Sequence, residues 1–170
     1  NGEEQVLMPH FAFHGFRYAA VEGIENPRPE MFTACVTHSD MRKTGEFRCS
    51  NEKVNQLQSN ISWSLRDNFF DIPSDCPQRD ERLGWMGDAQ VFSWTAAFNR
   101  ETALFFTKWM RDISAASSLE RGVPHIVPDI QGTYSSAAWS DAAVIIPWVV
   151  YQTYGDTRIL EESWKCMHEW

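Results

Sequence analysis

The spacing of apolar residues along this chain changes near residue 50. Between Pro9 and Thr37 they stand two apart: Phe11 with Phe13, then Phe16, Tyr18 and Ala20, and later Phe32, Ala34 and Val36. A period of two places side chains on one face of extended backbone, so this stretch predicts two strands. Gly23 and the run Asn26-Pro27-Arg28-Pro29 separate them. Two strands cannot bury a core of their own, and the stretch reads as the last strands of an antiparallel β domain. Ser39 to Gly45 follows as a polar linker.

Beyond the linker the period lengthens to that of a helix. Ser50 or Asn51 is placed to cap a helix whose apolar positions are Val54, Leu57, Ile61 and Leu65. A second helix, after Asp88, carries Val91, Trp94 and Phe98 on one face; a third, from about Glu101 to Ser114, buries Phe105, Trp109 and Ile113. A fourth runs from Asp141 to Tyr154, where Pro147 predicts a kink and Gly155 a stop. The last, capped by Asp156 or Thr157, carries Leu160, Trp164 and Met167. Trp63, Trp94, Trp109, Trp148 and Trp164 fall at helical spacing among other apolar residues and are expected in the core. Strands first and only helices afterwards imply a β domain leading into an all-helical one, divided as 1–45 and 46–170.

Composition narrows the functional classes. The 170 residues hold 15 Lys and Arg against 23 Asp and Glu, a net charge of −8, with no basic stripe to neutralise a phosphate backbone. Nucleic acid is therefore not an expected partner. No apolar run approaches the roughly 20 residues that span a bilayer, so no membrane partner is expected either. Cys35, Cys49, Cys76 and Cys166 are far apart, without metal-ligand spacing, and read as free thiols. The five histidines are scattered, and neither a metal nor a cofactor is expected. No initiator Met and no leader pattern open the chain, and Trp170 falls within a helical pattern, so both ends read as cut.

Two irregular stretches, Asp71–Asp88 and Leu119–Ser136, interrupt the helices, and long ordered loops often carry function. The first holds five carboxylates and two arginines, with Pro73, Pro77, Gly84 and Gly87 shaping its backbone and Trp85 between the two glycines. Such a loop suits a sugar pocket, because carboxylates and guanidinium groups bind hydroxyls and an indole covers an apolar sugar face. Glycoside hydrolysis needs one protonated carboxylic acid and a second carboxylate that activates water. Glu81 is the one glutamate among these acids, with the longest reach, though any of the aspartates offers the same group. Cys76 lies between Asp75 and Pro77, where neighbouring acids raise a thiol pKa, and reads as packing beneath the loop.

The run D-I-P-S-D-C-P-Q-R-D-E-R-L-G-W-M-G-D, Asp71 to Asp88, closely resembles the signature of bacterial-type α-L-rhamnosidases. Further similarity lies in F-H-G-F-R-Y at Phe13–Tyr18, N-I-S-W-S-L-R-D-N-F at Asn60–Phe69, W-S-D-A at Trp139–Ala142 and P-W-V-V-Y-Q-T-Y-G-D at Pro147–Asp156. The resemblance covers nearly the whole chain. It implies a mainly α fold, the first part of an (α/α)6 toroid preceded by the last strands of a β-sandwich. It also implies hydrolysis of terminal α-linked L-rhamnose from a rhamnose-containing glycoside or polysaccharide, with inversion. Carried over by position, Glu81 matches the general acid, Asp75, Arg79 and Asp88 match sugar-binding residues, and Trp85 and Trp139 match aromatic walls; Asp141 is not carried over. The same resemblance places the general base beyond these residues, so the 170 residues alone are expected to be inactive. Two alternatives stay open: a glycosidase or lyase of the same toroid acting on another sugar, and a non-catalytic carbohydrate-binding fragment.

Overall fold

The computed structural model describes residues 3–170. Its helices are α1 (Glu52–Asn68), α2 (Met86–Asn99), α3 (Ala103–Ala116), α4 (Ala142–Tyr154) and α5 (Arg158–Glu169), with two short strands, β1 (Phe69–Phe70) and β2 (Ile72–Pro73), between α1 and α2. Asn51 caps α1, its side-chain oxygen accepting the Lys53 N–H at 3.0 Å. β1 and β2 pair antiparallel, Phe69 opposite Pro73 and Phe70 opposite Ile72, around Asp71 at φ +65°. Aspartate tolerates that left-handed geometry better than most side chains. Lys108 on α3 holds the turn down, bridging Asp71 at 3.0 Å and Asp112 at 2.9 Å.

α4 is the centre of the helical body and packs against α2, α3 and α5. Its buried residues, Ala142, Ala143, Ile146, Pro147, Val149 and Val150, surround most of its circumference, as suits a helix with neighbours on several sides. The helix runs through Pro147 to Gly155, which takes φ +69° and donates its N–H to Tyr151 O. Asp156 then starts α5: its carboxylate accepts the Arg158 N–H at 3.0 Å and pairs with that residue's guanidinium, which holds the carboxyl down to about 2. Thr157 occupies the cap position without using its side chain. Phe69 stacks on Phe105 with ring centroids 4.6 Å apart, and Trp109 lies fully buried beside them, donating its indole N–H to Val127 O at 3.1 Å.

Several expectations are corrected. The alternating stretch Pro9–Thr37 forms no strand; it is irregular and largely exposed, with only a short 3-10 turn at Pro29–Met31. A strand needs a neighbour for its backbone N–H and C=O groups, and among the described residues this stretch has none. Ser39–Gly45 is no free linker: Ser39 N–H donates to Phe69 O, Arg42 O accepts from Glu101 N–H, and Met41 is buried. On α2 the buried face is Met86, Ala89, Gln90, Ser93, Ala96 and Ala97, while Val91 and Phe98 are each 79% exposed. Both faces of α2 are apolar, and the small-residue face packs because it lets the helix approach α4 closely. On α5 the buried residues are Ile159, Ser163 and Cys166, one position from the expected stripe, and Trp164 is exposed. Of the five tryptophans expected in the core only Trp109 is there; Trp63, Trp94, Trp148 and Trp164 are exposed. All four cysteines are free thiols. Among the described residues no helix is long and apolar enough to cross a membrane.

Candidate active site

The loop from Asp71 to Asp88 is built by its own backbone. Asp75 and Leu83 face each other across it: Asp75 N–H donates to Leu83 O at 3.0 Å, and Leu83 N–H donates to the Asp75 carboxylate at 2.9 Å. Between them Glu81 N–H donates to Arg79 O and Arg82 takes φ +54°. The end of the loop is sewn to a second one: Val127 N–H donates to Gly84 O, Met86 N–H to His125 O, and Trp85 bridges Ile126. A Cβ on Gly84 would lie 2.1 Å from Val127 O, so this seam requires glycine. Phe13 and Gly15 of the amino-terminal stretch also reach the loop, Arg82 lying over the Phe13 ring and Gly15 against the Gln78 backbone.

Glu81, Arg79 and Trp85 form one hydrogen-bonded group. Arg79 donates twice to Glu81 Oε2, at 2.9 and 2.6 Å, and Trp85 donates its indole N–H to Oε1 at 3.1 Å. The interaction with Glu81 raises the Arg79 pKa. Asp75 adjoins the group, with one donor atom from each of Asp75, Cys76 and Glu81 lying within 4.8 Å of one another. Burial acts to raise the Asp75 carboxyl, but the N–H groups of Cys76 and Leu83 and the neighbouring Glu81 side chain outweigh it and hold it below the usual range. The Cys76 thiol is pushed up by burial and then by Asp75. With Asp75 and Glu81 already accepting hydrogen bonds, the trio reads as a hydrogen-bonding cluster.

A cleft of about 560 Å³ opens beside this group. Of the six residues singled out in the sequence, Asp75, Asp88 and Trp139 line it, whereas Glu81, Arg79 and Trp85 adjoin Asp75 and do not line it. Asp88 is exposed in the first turn of α2, where the partial positive charge of the helix end favours an acid. Trp139 comes from the second loop, on the far side of the cleft; its ring lies against Gly87, where a Cβ would stand 3.1 Å from Cδ1 and Nε1.

The sequence reading missed part of the lining. Ser64 and Asn68 face the cleft from α1, four residues apart and so on one helix face, and Ser74 and Phe92 join them. The i, i+4 spacing just before the acidic signature was the available signal. His125, one of the five scattered histidines, also adjoins the site: its ring is 5.5 Å from that of Trp139, and Nε2 is 2.7 Å from the Ser136 hydroxyl. Nothing in the spacing of His125 and Trp139 signalled that contact.

Comparison with known proteins agrees with this geometry. The family model described as the bacterial alpha-L-rhamnosidase 6 hairpin glycosidase domain matches residues 42–170, and that of the bacterial alpha-L-rhamnosidase concanavalin-like domain matches 1–38. An alpha-L-rhamnosidase from Formosa agariphila is 47% identical over 168 residues, 96% of this chain and 18% of that protein. One from Streptomyces avermitilis is 40% identical over 98% of this chain and 16% of its own length. A solved structure of the Streptomyces avermitilis enzyme complexed with L-rhamnose superposes with a TM-score of 0.76 at 40% identity, over 78% of this chain and 13% of that one. The Dictyoglumus thermophilum alpha-L-rhamnosidase gives 0.75 at 41% identity, over 78% and 15%. The chain thus spans less than a fifth of the length of these relatives. Its helical residues form part of a six-hairpin glycosidase domain, and the chain belongs to the bacterial α-L-rhamnosidase family.

Proposed function

We propose that these residues supply the acid half of an inverting α-L-rhamnosidase, which releases terminal α-linked L-rhamnose from a glycoside or polysaccharide. The observation that carries the reading is the grip on Glu81: one carboxylate oxygen accepts from Trp85, the other from Arg79, and Asp75 lines the adjoining cleft. Trp85 is packed into the loop seam and fixes Oε1. Oε2 accepts both Arg79 N–H groups here, so it takes up the transferable proton only once the exposed Arg79 turns from it to a sugar hydroxyl. Glu81 passes that proton to the glycosidic oxygen as the bond from the anomeric carbon breaks. Water, deprotonated by a carboxylate contributed from outside these residues, adds to the opposite face and inverts the centre. Asp75 and Asp88 bind ring hydroxyls, and Trp139 covers the apolar sugar face. The chain divides near residue 45: the stretch before it, which forms no strand over Pro9–Thr37, is the end of a β-sandwich whose pairing strands come from outside these residues, and the stretch after it is the first part of an (α/α)6 toroid.

The test is Glu81→Gln in the full-length protein. Hydrolysis of an aryl α-L-rhamnoside is expected to fall by roughly 10² to 10⁴, while L-rhamnose binding, followed by calorimetry, is retained. Undiminished turnover would remove Glu81 from the role, and turnover of other aryl glycosides with the rhamnoside untouched would reassign the sugar.

A further inference from the structure

The turn that carries Trp139 is held in a conformation its sequence does not favour. Ala138 takes φ +70°, the left-handed region that a Cβ disfavours. Both of its backbone polar groups are gripped: its N–H donates to the Asp141 carboxylate at 2.9 Å, and its C=O accepts from the Gln90 side-chain amide. Gln90 belongs to α2, is only 9% exposed, and leaves its own oxygen without a partner among the described residues. A buried amide with half its capacity unused is costly, and this one is placed to hold the turn. Asp141 is itself fixed, because its other oxygen accepts the Trp170 indole N–H at 2.9 Å. The result is a clamp with one jaw on α2 and the other at the start of α4. It presses the Trp139 ring onto Gly87, one residue from Asp88.

We infer that Gln90 and Asp141 are positioning residues that set the Trp139 ring as one wall of the sugar cleft, at a fixed distance from Asp88. The inference rests on the proposed reading of the cleft as a sugar site. Neither residue lines the cleft, so each acts through the Ala138–Trp139 backbone. Loss of either jaw lets Ala138 relax to negative φ and swings the ring off Gly87. The effect is on substrate binding, because the proton donor belongs to a different loop.

The experiment uses the full-length protein and compares Asp141→Ala, Gln90→Leu, Trp139→Ala and the double variant Asp141→Ala with Ala138→Gly. KM for an aryl α-L-rhamnoside should rise roughly tenfold in Asp141→Ala and Gln90→Leu, with kcat changed far less. Glycine adopts the left-handed region without penalty, so the double variant should recover much of the KM lost in Asp141→Ala. Asp141→Asn keeps an oxygen for the Ala138 N–H and should be milder than the alanine variant. An unchanged KM in both clamp variants, or a double variant no better than Asp141→Ala, overturns the inference. Trp139→Ala separates this failure from failure of the sugar-site reading. If Trp139→Ala raises KM while the clamp variants do not, the clamp is wrong and the site stands; if Trp139→Ala leaves KM unchanged, Trp139 is no sugar wall and both fall.

Discussion

The two loops that meet at the cleft, Asp71–Asp88 and Leu119–Asp141, use one device for different ends. Each is closed by an aspartate that accepts a backbone N–H from within its own loop: Asp75 takes Leu83, and Asp129 takes Thr133. In the first loop the closure leaves the Arg79–Glu81 pair at the tip, Arg79 exposed and Glu81 half-buried. In the second the corresponding pair, exposed Arg121 with Asp129 at 3.2 Å, braces the loop itself, and what reaches the cleft is an indole ring on a strained backbone. In the proposed reading one loop therefore supplies the proton and hydrogen bonds, and the other a surface. The seam at Gly84 and Val127 ties the two loops together, the one carrying Glu81 and the one carrying Trp139.

Breaking that seam should have the largest effect. In Gly84→Ala the added carbon meets a backbone carbonyl, which unlike a flexible side chain cannot swing aside. Strands of backbone must separate, costing about 3 kcal/mol or more, and the Trp109 bond to Val127 O shifts with them. Urea unfolding of the variant against the parent chain measures this. A loss below about 1 kcal/mol would mean that the two loops move independently and form two sites rather than one.

How legible each loop was in the sequence follows from the same difference. The first announces itself because its function lies in residue types: acids, arginines, prolines and Trp85 in a tight run can be read without coordinates. The second hides because its function lies in backbone shape. Nothing about Ala138 signals a left-handed φ, and Gln90 reads as an ordinary helix residue 48 positions from the carbonyl it holds. The helices were legible as elements, from caps such as Asn51 and the stop at Gly155. Their packed faces were less so, since on α2 and α5 apolar residues occur around the helix and periodicity alone cannot say which side meets a neighbour. The alternation in Pro9–Thr37 records a tendency to extend, and pairing partners decide whether extension becomes a sheet.

A milder change probes the contact between platform and helix. Gly87→Ala puts a Cβ 3.1 Å from the Trp139 ring, near enough that the ring must give by a few tenths of an ångström. Alanine favours the helix by about 0.5–1 kcal/mol relative to glycine, so unfolding free energy should change little while KM for the rhamnoside rises about threefold. A KM that tracks the parent would show that the ring has room to move and that its distance from Asp88 is not critical.

The smallest effect tests whether the second loop really spends its charge internally. Burial acts to raise the Asp129 carboxyl, but the Thr133 N–H and hydroxyl, then Arg121, outweigh it and hold it below 3.8. A carboxyl lowered on folding adds stability that is present above its unfolded value and disappears as pH falls through the folded one. Asp129→Asn removes the titration while keeping the shape. The parent should therefore be the more stable at pH 7, with the gap between the two melting curves closing as pH falls below 3.8. A gap that stayed constant to pH ~2 would assign the loss to amide geometry instead of charge, and the second loop would then differ from the first in its closure as well as in what it presents.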